Sequence, residues 1–155
     1  MIAPSGALER PRADVLEAGA APDRFAALLA AAGALEPLPT AVAHPCSDSA
    51  LQAAIDAAAQ RLIRPILVGP AARLAAIARR IGADLSGYRI VDVPHSHAAA
   101  EAAVALVRAG EAGLLMKGSL HTDELLGAVV ARDIGLRTER RLSHVFLLDV
   151  PTYHK

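Results

Sequence analysis

The sequence contains little cysteine and few aromatic residues. Cys46 is the one cysteine among 155 residues, which excludes an internal disulfide and a zinc site built from several cysteines. Aromatic residues make up 3% of the chain, and tryptophan is absent. A single thiol suits a reducing compartment, and the first residues do not combine a basic segment with an apolar stretch as a secretory signal would. We therefore expect a cytoplasmic protein.

An excess of one charge and a long apolar run are also missing. Sixteen Lys+Arg balance sixteen Asp+Glu, which gives a formal net charge of zero. A general polyanion binder carries a basic excess, so we expect no nucleic-acid partner. The longest apolar stretch, from Phe25 to Leu35, has eleven residues, whereas a membrane-spanning helix needs about 20. We expect no membrane partner either.

Alanine supplies 36 of the 155 residues, or 23%, and much of it falls in segments that favour helices. These segments alternate with short aliphatic runs that are typical of buried parallel strands. The alternation predicts an α/β fold, a mostly parallel sheet with helices on both faces. We predict a linker or frayed end over 1–21, helices over 24–33, 47–62, 71–81, 97–109 and 122–132, and strands over 40–44, 66–68, 88–93, 113–117 and 145–150.

The segment between the fourth strand and the last helix is the best candidate for a site, because ligands bind beyond the carboxyl ends of parallel strands. A flexible glycine, free N–H groups at a helix start, hydroxyls and an ammonium group together suit a phosphate. The order of residues excludes a Walker A loop. The alternative is a plain helix cap by Thr122, with acidic residues complementing the helix dipole. The candidate phosphate-binding residues are Lys117, Gly118, Ser119, His121 and Thr122.

A second candidate is the arginine-rich segment after the last helix. Arg137 and Arg141 would share a face in either a helix or a strand, and arginine binds phosphate in a bidentate manner. The alternative is a solvated loop. If the segment after the fourth strand and the arginine-rich segment bind the same phosphoryl group, Lys117 and Arg137 should face one shared cavity.

Other patterns favour structural roles. His95 and His97 have no obvious third metal ligand nearby, and His121 with Glu124 has no partner helix that repeats the pattern, so we predict no metal site. Cys46 beside His44 is expected to be a buried structural cysteine and not a nucleophile.

Six blocks of the sequence occur in a recognisable order: 40–46, 65–70, 88–92, 116–126, 135–146 and 149–151. Together they resemble the phosphate acetyltransferase/phosphate butyryltransferase family. The resemblance covers about residues 23–155, and the start of this region also looks like the transferase part of bifunctional enoyl-CoA hydratase/phosphate acetyltransferases. An ordered series of blocks is far more specific than one short motif.

The resemblance implies reversible transfer of an acetyl or butyryl group between coenzyme A and inorganic phosphate, with no metal or prosthetic group and with coenzyme A as substrate. It implies a two-domain family chain about twice as long, so residues 22–155 correspond to its N-terminal part, and the family's catalytic group lies in the absent C-terminal half. No catalytic residue is therefore assigned. The resemblance also implies that acetyl-type enzymes carry an arginine near the helix after this loop. Here that helix has Leu125 and Leu126, which is closer to the butyryl branch, and the acyl preference remains open.

Two functional hypotheses remain open. The chain is an acyltransferase or part of one, acting on acyl-CoA and on phosphate or acyl phosphate, and associated as a homo-oligomer or with a complementing C-terminal half. Alternatively, it is a catalytically incomplete domain or remnant that binds phosphate or coenzyme A without turnover.

Overall fold

The computed structural model of the chain describes residues 24–143, 145 and 146. Helices and strands alternate along these residues, as the sequence predicts. The predicted linker over 1–21 lies outside the described residues. The elements are α1 (Arg24–Gly33), β1 (Leu38–Ala43), α2 (Asp48–Ala59), β2 (Ile63–Gly69), α3 (Ala71–Ile81), β3 (Arg89–Asp92), α4 (Ser96–Arg108), β4 (Leu114–Lys117) and α5 (Thr122–Val130).

The four strands form one parallel sheet in the order β3-β2-β1-β4. β1 pairs with β2 in the register Ala41↔Ile66 and with β4 in the register Ala41↔Leu115. One face of the sheet packs against a core that includes residues of α4 and α5, and the other against residues of α2 and α3. The prediction of a mostly parallel sheet with helices on both faces is confirmed.

Successive side chains of β1 pack alternately on the two faces of the sheet. Ala41 and Ala43 belong to the α4 side of the core, whereas Val42 belongs to the α2 side. All three side chains are fully buried, as expected for a strand with helices above and below. The same alternation fixes the register, since a slip of one residue would exchange the two faces.

Local residue chemistry sets several element ends. Ser47 caps α2, because its hydroxyl accepts a hydrogen bond from the N–H of Ala50. Gly82 ends α3 with φ of 71°, a left-handed conformation that glycine adopts without strain. Pro65 lies inside β2, but β3 joins β2 only from Ile66 onward. Pro65 therefore lies in the part of β2 that pairs with β1 but not with β3. A proline, which has no N–H to donate, is tolerated at such a position.

Several predicted bounds differ from the structure. α2 ends at Ala59 and not near 62, because the backbone turns left-handed at Arg61, with φ of 60°, and β2 begins at Ile63 and not at 66. The last helix ends at Val130 and not near 132, because Ala131 adopts an extended backbone with ψ of 138°. Val145 and Phe146 lie in no strand, and the remainder of the predicted strand 145–150 lies outside the described residues.

None of the helices found in the part of the chain that the structure describes is long and apolar enough to cross a membrane.

Candidate functional site

The order of the strands changes direction at β1. β2 and β3 lie on one side of β1, and β4 lies on the other. The connections from β1 to β2 and from β2 to β3 step to one side, and α4 then carries the chain back to β4 on the other side of β1. In open parallel sheets such a switch point leaves a crevice beyond the carboxyl ends of the strands, where ligands bind. The segments that begin at His44 and at Gly118 meet at this place.

The two segments are joined by hydrogen bonds. The carbonyl oxygen of His44 accepts from the N–H of Cys46 at 2.7 Å and from the N–H of Ser119 at 2.9 Å. The hydroxyl of Ser119 donates to the same oxygen at 2.9 Å and accepts from the N–H of Cys46 at 3.1 Å. The proton of the Ser119 hydroxyl is therefore engaged within the protein.

Gly118 lies against the backbone of β1. A Cβ atom at this position would be 2.4 Å from the carbonyl oxygen of Ala43 and 2.5 Å from that of His44. The N–H of Gly118 donates to the oxygen of Ala43 at 2.9 Å. The sequence suggested that this glycine allows close approach to a ligand. In the structure, the close approach is to the chain's own backbone.

The remaining predicted residues of this segment are exposed around the start of α5. Lys117 is exposed, and its Nζ lies 3.4 Å from the carbonyl oxygen of Gly118. His121 occupies the N-cap position and Thr122 is the first helical residue, so the cap lies one residue earlier than expected. Lys117, His121 and Thr122 are all exposed at this edge.

Glu124 connects the starts of α4 and α5. One carboxylate oxygen accepts from the hydroxyl of Ser96 at 2.7 Å and lies 2.8 Å from Nδ1 of His97. The other accepts from the N–H of His121 at 2.9 Å. The Ser96 hydrogen bond, followed by that of the His121 N–H, lowers the pKa of the Glu124 carboxyl below its usual value.

The arginine segment lies at the other end of α5. The N–H of Leu136 donates to the carbonyl oxygen of Val129 at 2.7 Å, which holds the segment against the last turn of this helix. Arg137 and Arg141 line an open cavity with Val129, and Lys117 does not contribute to it. A helix of nine residues is about 13 Å long. The expectation that Lys117 and Arg137 share this cavity is wrong, because α5 separates them.

His44 has the most unusual environment at the edge. Its backbone φ is 51°, which is uncommon for a residue other than glycine. The residue is 8% exposed, and its Nδ1 is the one buried side-chain nitrogen or oxygen without a hydrogen-bond partner among the described residues. Burial and then the positive charge of Arg73 lower the pKa of His44, while Glu124 acts in the opposite direction. The imidazole is therefore neutral near pH 7.

Cys46 is a buried free thiol, as expected of a structural cysteine. A Cβ atom on Gly69 would lie 3.4 Å from its Sγ, so the thiol packs over the end of β2. Burial raises the pKa of Cys46. The group is held as the protonated thiol, which is a poor nucleophile.

The histidines that precede α4 have structural partners. Nδ1 of His95 accepts from the N–H of Ala98 at 3.2 Å and caps the helix, and His97 faces Glu124. Within residues 24–143, 145 and 146, no group of three or more His, Cys, Asp or Glu side chains is arranged to hold a metal ion.

The sequence analysis missed two residues at this edge. Asp92 accepts from the N–H of Ala71 at 2.8 Å and so caps α3 from the end of β3. Arg73 lies in the first turn of α3 and places its charge near both His44 and Cys46. The signal for Asp92 was its position at a strand end, whereas a single arginine inside a helix gives no signal.

The described residues define an α/β domain whose parallel sheet has its switch point between β1 and β4. No family model matches the chain. A phosphotransacetylase from Streptococcus pyogenes has a similar fold, with a TM-score of 0.61 over 71% of this chain and 42% of that chain, at 13% sequence identity.

Sequence comparison identifies the relatives. The chain is 56% identical over 132 residues to a phosphate acetyltransferase of Rhizobium meliloti, which covers 85% of this chain and 42% of that protein. It is 38% identical over 119 residues to a phosphate butyryltransferase of Clostridium beijerinckii, covering 75% of this chain and 39% of that protein. The chain is therefore homologous to the phosphate acetyltransferase/phosphate butyryltransferase family, which confirms the resemblance, and it spans about two fifths of the length of these relatives.

Proposed function

We propose that this chain is part of an acyltransferase that exchanges an acetyl or butyryl group between coenzyme A and inorganic phosphate. The observation that carries the proposal is the 56% identity to a phosphate acetyltransferase over 85% of the chain. Sequence similarity of this degree over a continuous domain goes with the same fold and a related site.

The proposed reaction needs no external electron donor or acceptor. The thiolate of coenzyme A attacks the carbonyl carbon of an acyl phosphate, a carbon–sulfur bond forms, and the carbon–oxygen bond to phosphate breaks as phosphate leaves. The reverse reaction regenerates the acyl phosphate. The protein must hold the reactants together, bind the phosphoryl oxygens with positive charge, and donate hydrogen bonds to a tetrahedral oxyanion.

The exposed side chains at the start of α5 suit the phosphoryl part of this chemistry. Lys117 supplies positive charge, Thr122 a hydroxyl, and the first turn of α5 the N–H donors that helix starts offer to anions. The roles proposed for Gly118 and Ser119 are indirect, since both hold the segment in place. Arg137 and Arg141 would serve a different part of a large substrate such as coenzyme A, because they lie at the other end of the helix.

The proposal includes no metal or prosthetic group, treats coenzyme A as a substrate, and places the reaction in the cytoplasm. We propose that activity needs a complementing C-terminal half, since the matched relatives are more than twice as long as the matched region. Homo-oligomer formation stays a prediction.

The test is complementation. The chain is mixed with the part of the Rhizobium meliloti relative that this chain does not match, and formation of acetyl-CoA or butyryl-CoA from the acyl phosphate is followed. Transfer that needs both parts and falls in Lys117→Ala supports the proposal. Absence of transfer, with both parts folded and associated, contradicts it. Binding of coenzyme A without transfer would favour the domain that binds without turnover.

A further inference from the structure

The buried imidazole of His44 has no assigned role in the structure. Its Nδ1 has no hydrogen-bond partner, and a Cβ atom on Gly69 would lie 3.8 Å from that nitrogen. The ring therefore turns Nδ1 toward the end of β2. A buried polar atom without a partner in a native structure calls for an explanation, and an unusual backbone conformation such as φ of 51° at the same residue is typical of functional sites.

The burial of Nδ1 selects one tautomer of the neutral ring. A buried N–H without an acceptor is rarer and costlier than a buried lone pair without a donor. The ring hydrogen therefore resides on Nε2, and Nδ1 carries the lone pair. In this tautomer the one side-chain donor of His44 is Nε2–H, which lies on the side of the ring opposite to the buried Nδ1.

Arg73 supplies positive charge at the same place. The residue is exposed, and within the described residues it forms no ion pair. Arg73 lies in the first turn of α3, which begins directly after the carboxyl end of β2, and its charge acts on both His44 and Cys46. An unpaired guanidinium beside a neutral N–H donor is suited to a phosphoryl group.

The other charged and titratable groups that face His44 are Glu124 and His95. Both Glu124 carboxylate oxygens are engaged, by Ser96 and by the N–H of His121. Nδ1 of His95 is engaged by the N–H of Ala98. Glu124 keeps its negative charge and acts on His44 in the opposite direction to Arg73, so Arg73 is the cation of this set that is left to bind an anion.

We infer that His44 and Arg73 form an anion subsite at the carboxyl ends of β1 and β2, in which Nε2–H of His44 donates to a phosphoryl oxygen and Arg73 balances its charge. This inference rests on the proposed function, since inorganic phosphate and acyl phosphate are its substrates. It adds two residues that lie on the far side of β1 from the Lys117 segment.

The first experiment measures binding of inorganic phosphate to the full chain by calorimetry. Arg73→Gln removes the charge and should weaken binding about tenfold, as loss of a hydrogen bond to a charged group does. Arg79→Gln is the matched control, because Arg79 lies on the same helix, is exposed, and is six residues, or about 9 Å, further from the edge. Arg79→Gln should bind phosphate like the unchanged chain. Equal binding by both variants overturns the inference.

The second experiment tests which nitrogen of His44 acts. A glutamine amide nitrogen reaches the position of Nε2, and an asparagine amide nitrogen reaches that of Nδ1. His44→Gln should therefore retain phosphate binding within a few-fold, whereas His44→Asn should lose about tenfold. Asparagine tolerates the positive φ well, and urea unfolding of both variants shows that each is folded under the conditions of the binding measurement. The opposite order overturns the inference.

The third experiment determines the tautomer of His44 in the unchanged chain. The nitrogen chemical shifts of His44 report its tautomer, and we expect the hydrogen on Nε2 and a change in the Nε2 shift when inorganic phosphate is added. A hydrogen on Nδ1, or no saturable phosphate binding, rejects the subsite. Phosphate binding with this pattern but no acyl transfer would reject the proposed function alone, and transfer that is unaffected by Arg73→Gln would reject the subsite alone.

Discussion

The hydroxyl of Ser119 donates a 2.9 Å hydrogen bond to the carbonyl oxygen of His44, a residue 75 positions earlier in the sequence. The N–H groups of Ser119 and Cys46 donate to the same oxygen. One carbonyl with three donors thus joins the segments that follow β1 and β4. These hydrogen bonds also hold the backbone of His44 in place.

Ser119→Ala should lower the free energy of unfolding by about 1–2 kcal/mol. It removes both hydrogen bonds of the hydroxyl, to the carbonyl of His44 and from the N–H of Cys46, while the N–H groups of Ser119 and Cys46 keep that carbonyl satisfied. Urea unfolding gives the measurement. Ser49→Ala is the control, because the exposed hydroxyl of Ser49 contacts only that of Ser47 at 3.4 Å, and it should change stability by less than about 0.5 kcal/mol. Equal effects of the two variants would remove the structural role that we give Ser119.

Gly118→Ala should be strongly destabilising, by about 3 kcal/mol, because its Cβ would press against the backbone of β1. Gly127→Ala, in the interior of α5, meets no atom within 4 Å and should stabilise the protein by about 0.5–1 kcal/mol through helix propensity. Thermal unfolding of both variants checks the pair. A harmless Gly118→Ala would mean that the two segments are further apart than the structure has them.

His44 should make stability depend on pH below its ordinary pKa of 6.5. Its pKa in the folded protein is lowered, chiefly by burial and then by Arg73. Between the two pKa values the unfolded chain binds more protons than the folded one, so the free energy of unfolding falls as the pH is reduced from 6.5 toward the folded value. Denaturant unfolding at a series of pH values should show a shallower fall in His44→Asn. Parallel curves for the two proteins would contradict the prediction.

Glu124→Gln should loosen the starts of α4 and α5 without unfolding the sheet. The neutral amide weakens the bonds to Ser96, His97 and the N–H of His121, and hydrogen exchange at these helix starts should become faster. Since the pKa of Glu124 is lowered from 4.5, the carboxylate's stabilising effect is present above pH 4.5 and is lost as the pH falls through its folded value. Glu101→Gln on the exposed face of α4 is the control, and similar exchange in both variants would count against the prediction.

The fold could be predicted well where single residues end an element. The bounds of α3 follow from Pro70 before it and Gly82 after it, both of which act through their own backbone. The end of α5 was placed too late because no glycine or proline stands at Ala131, and the extended backbone there depends on contacts of Gly135 and Leu136 with the last turn. Tertiary contacts of this kind are not visible in a local pattern.

The site was only partly predictable for a similar reason. Position at a strand end pointed to Lys117, His121 and Thr122, which the structure places at the edge. The role of the Ser119 hydroxyl could not be predicted, since its acceptor is on another strand. Arg73 was overlooked because the charge of a helical arginine gains meaning only when the neighbouring strand brings His44 beside it.

The sheet order has a consequence for synthesis of the chain. β2 follows β1 closely in the sequence, but the second neighbour of β1 is β4, whose pairing partners begin at Leu114. While a ribosome makes the protein, the central strand therefore has one open side until residues 114–119 have left the exit tunnel. The interval is a long one for an exposed aliphatic strand edge, and a chaperone that binds extended apolar segments would find its target there.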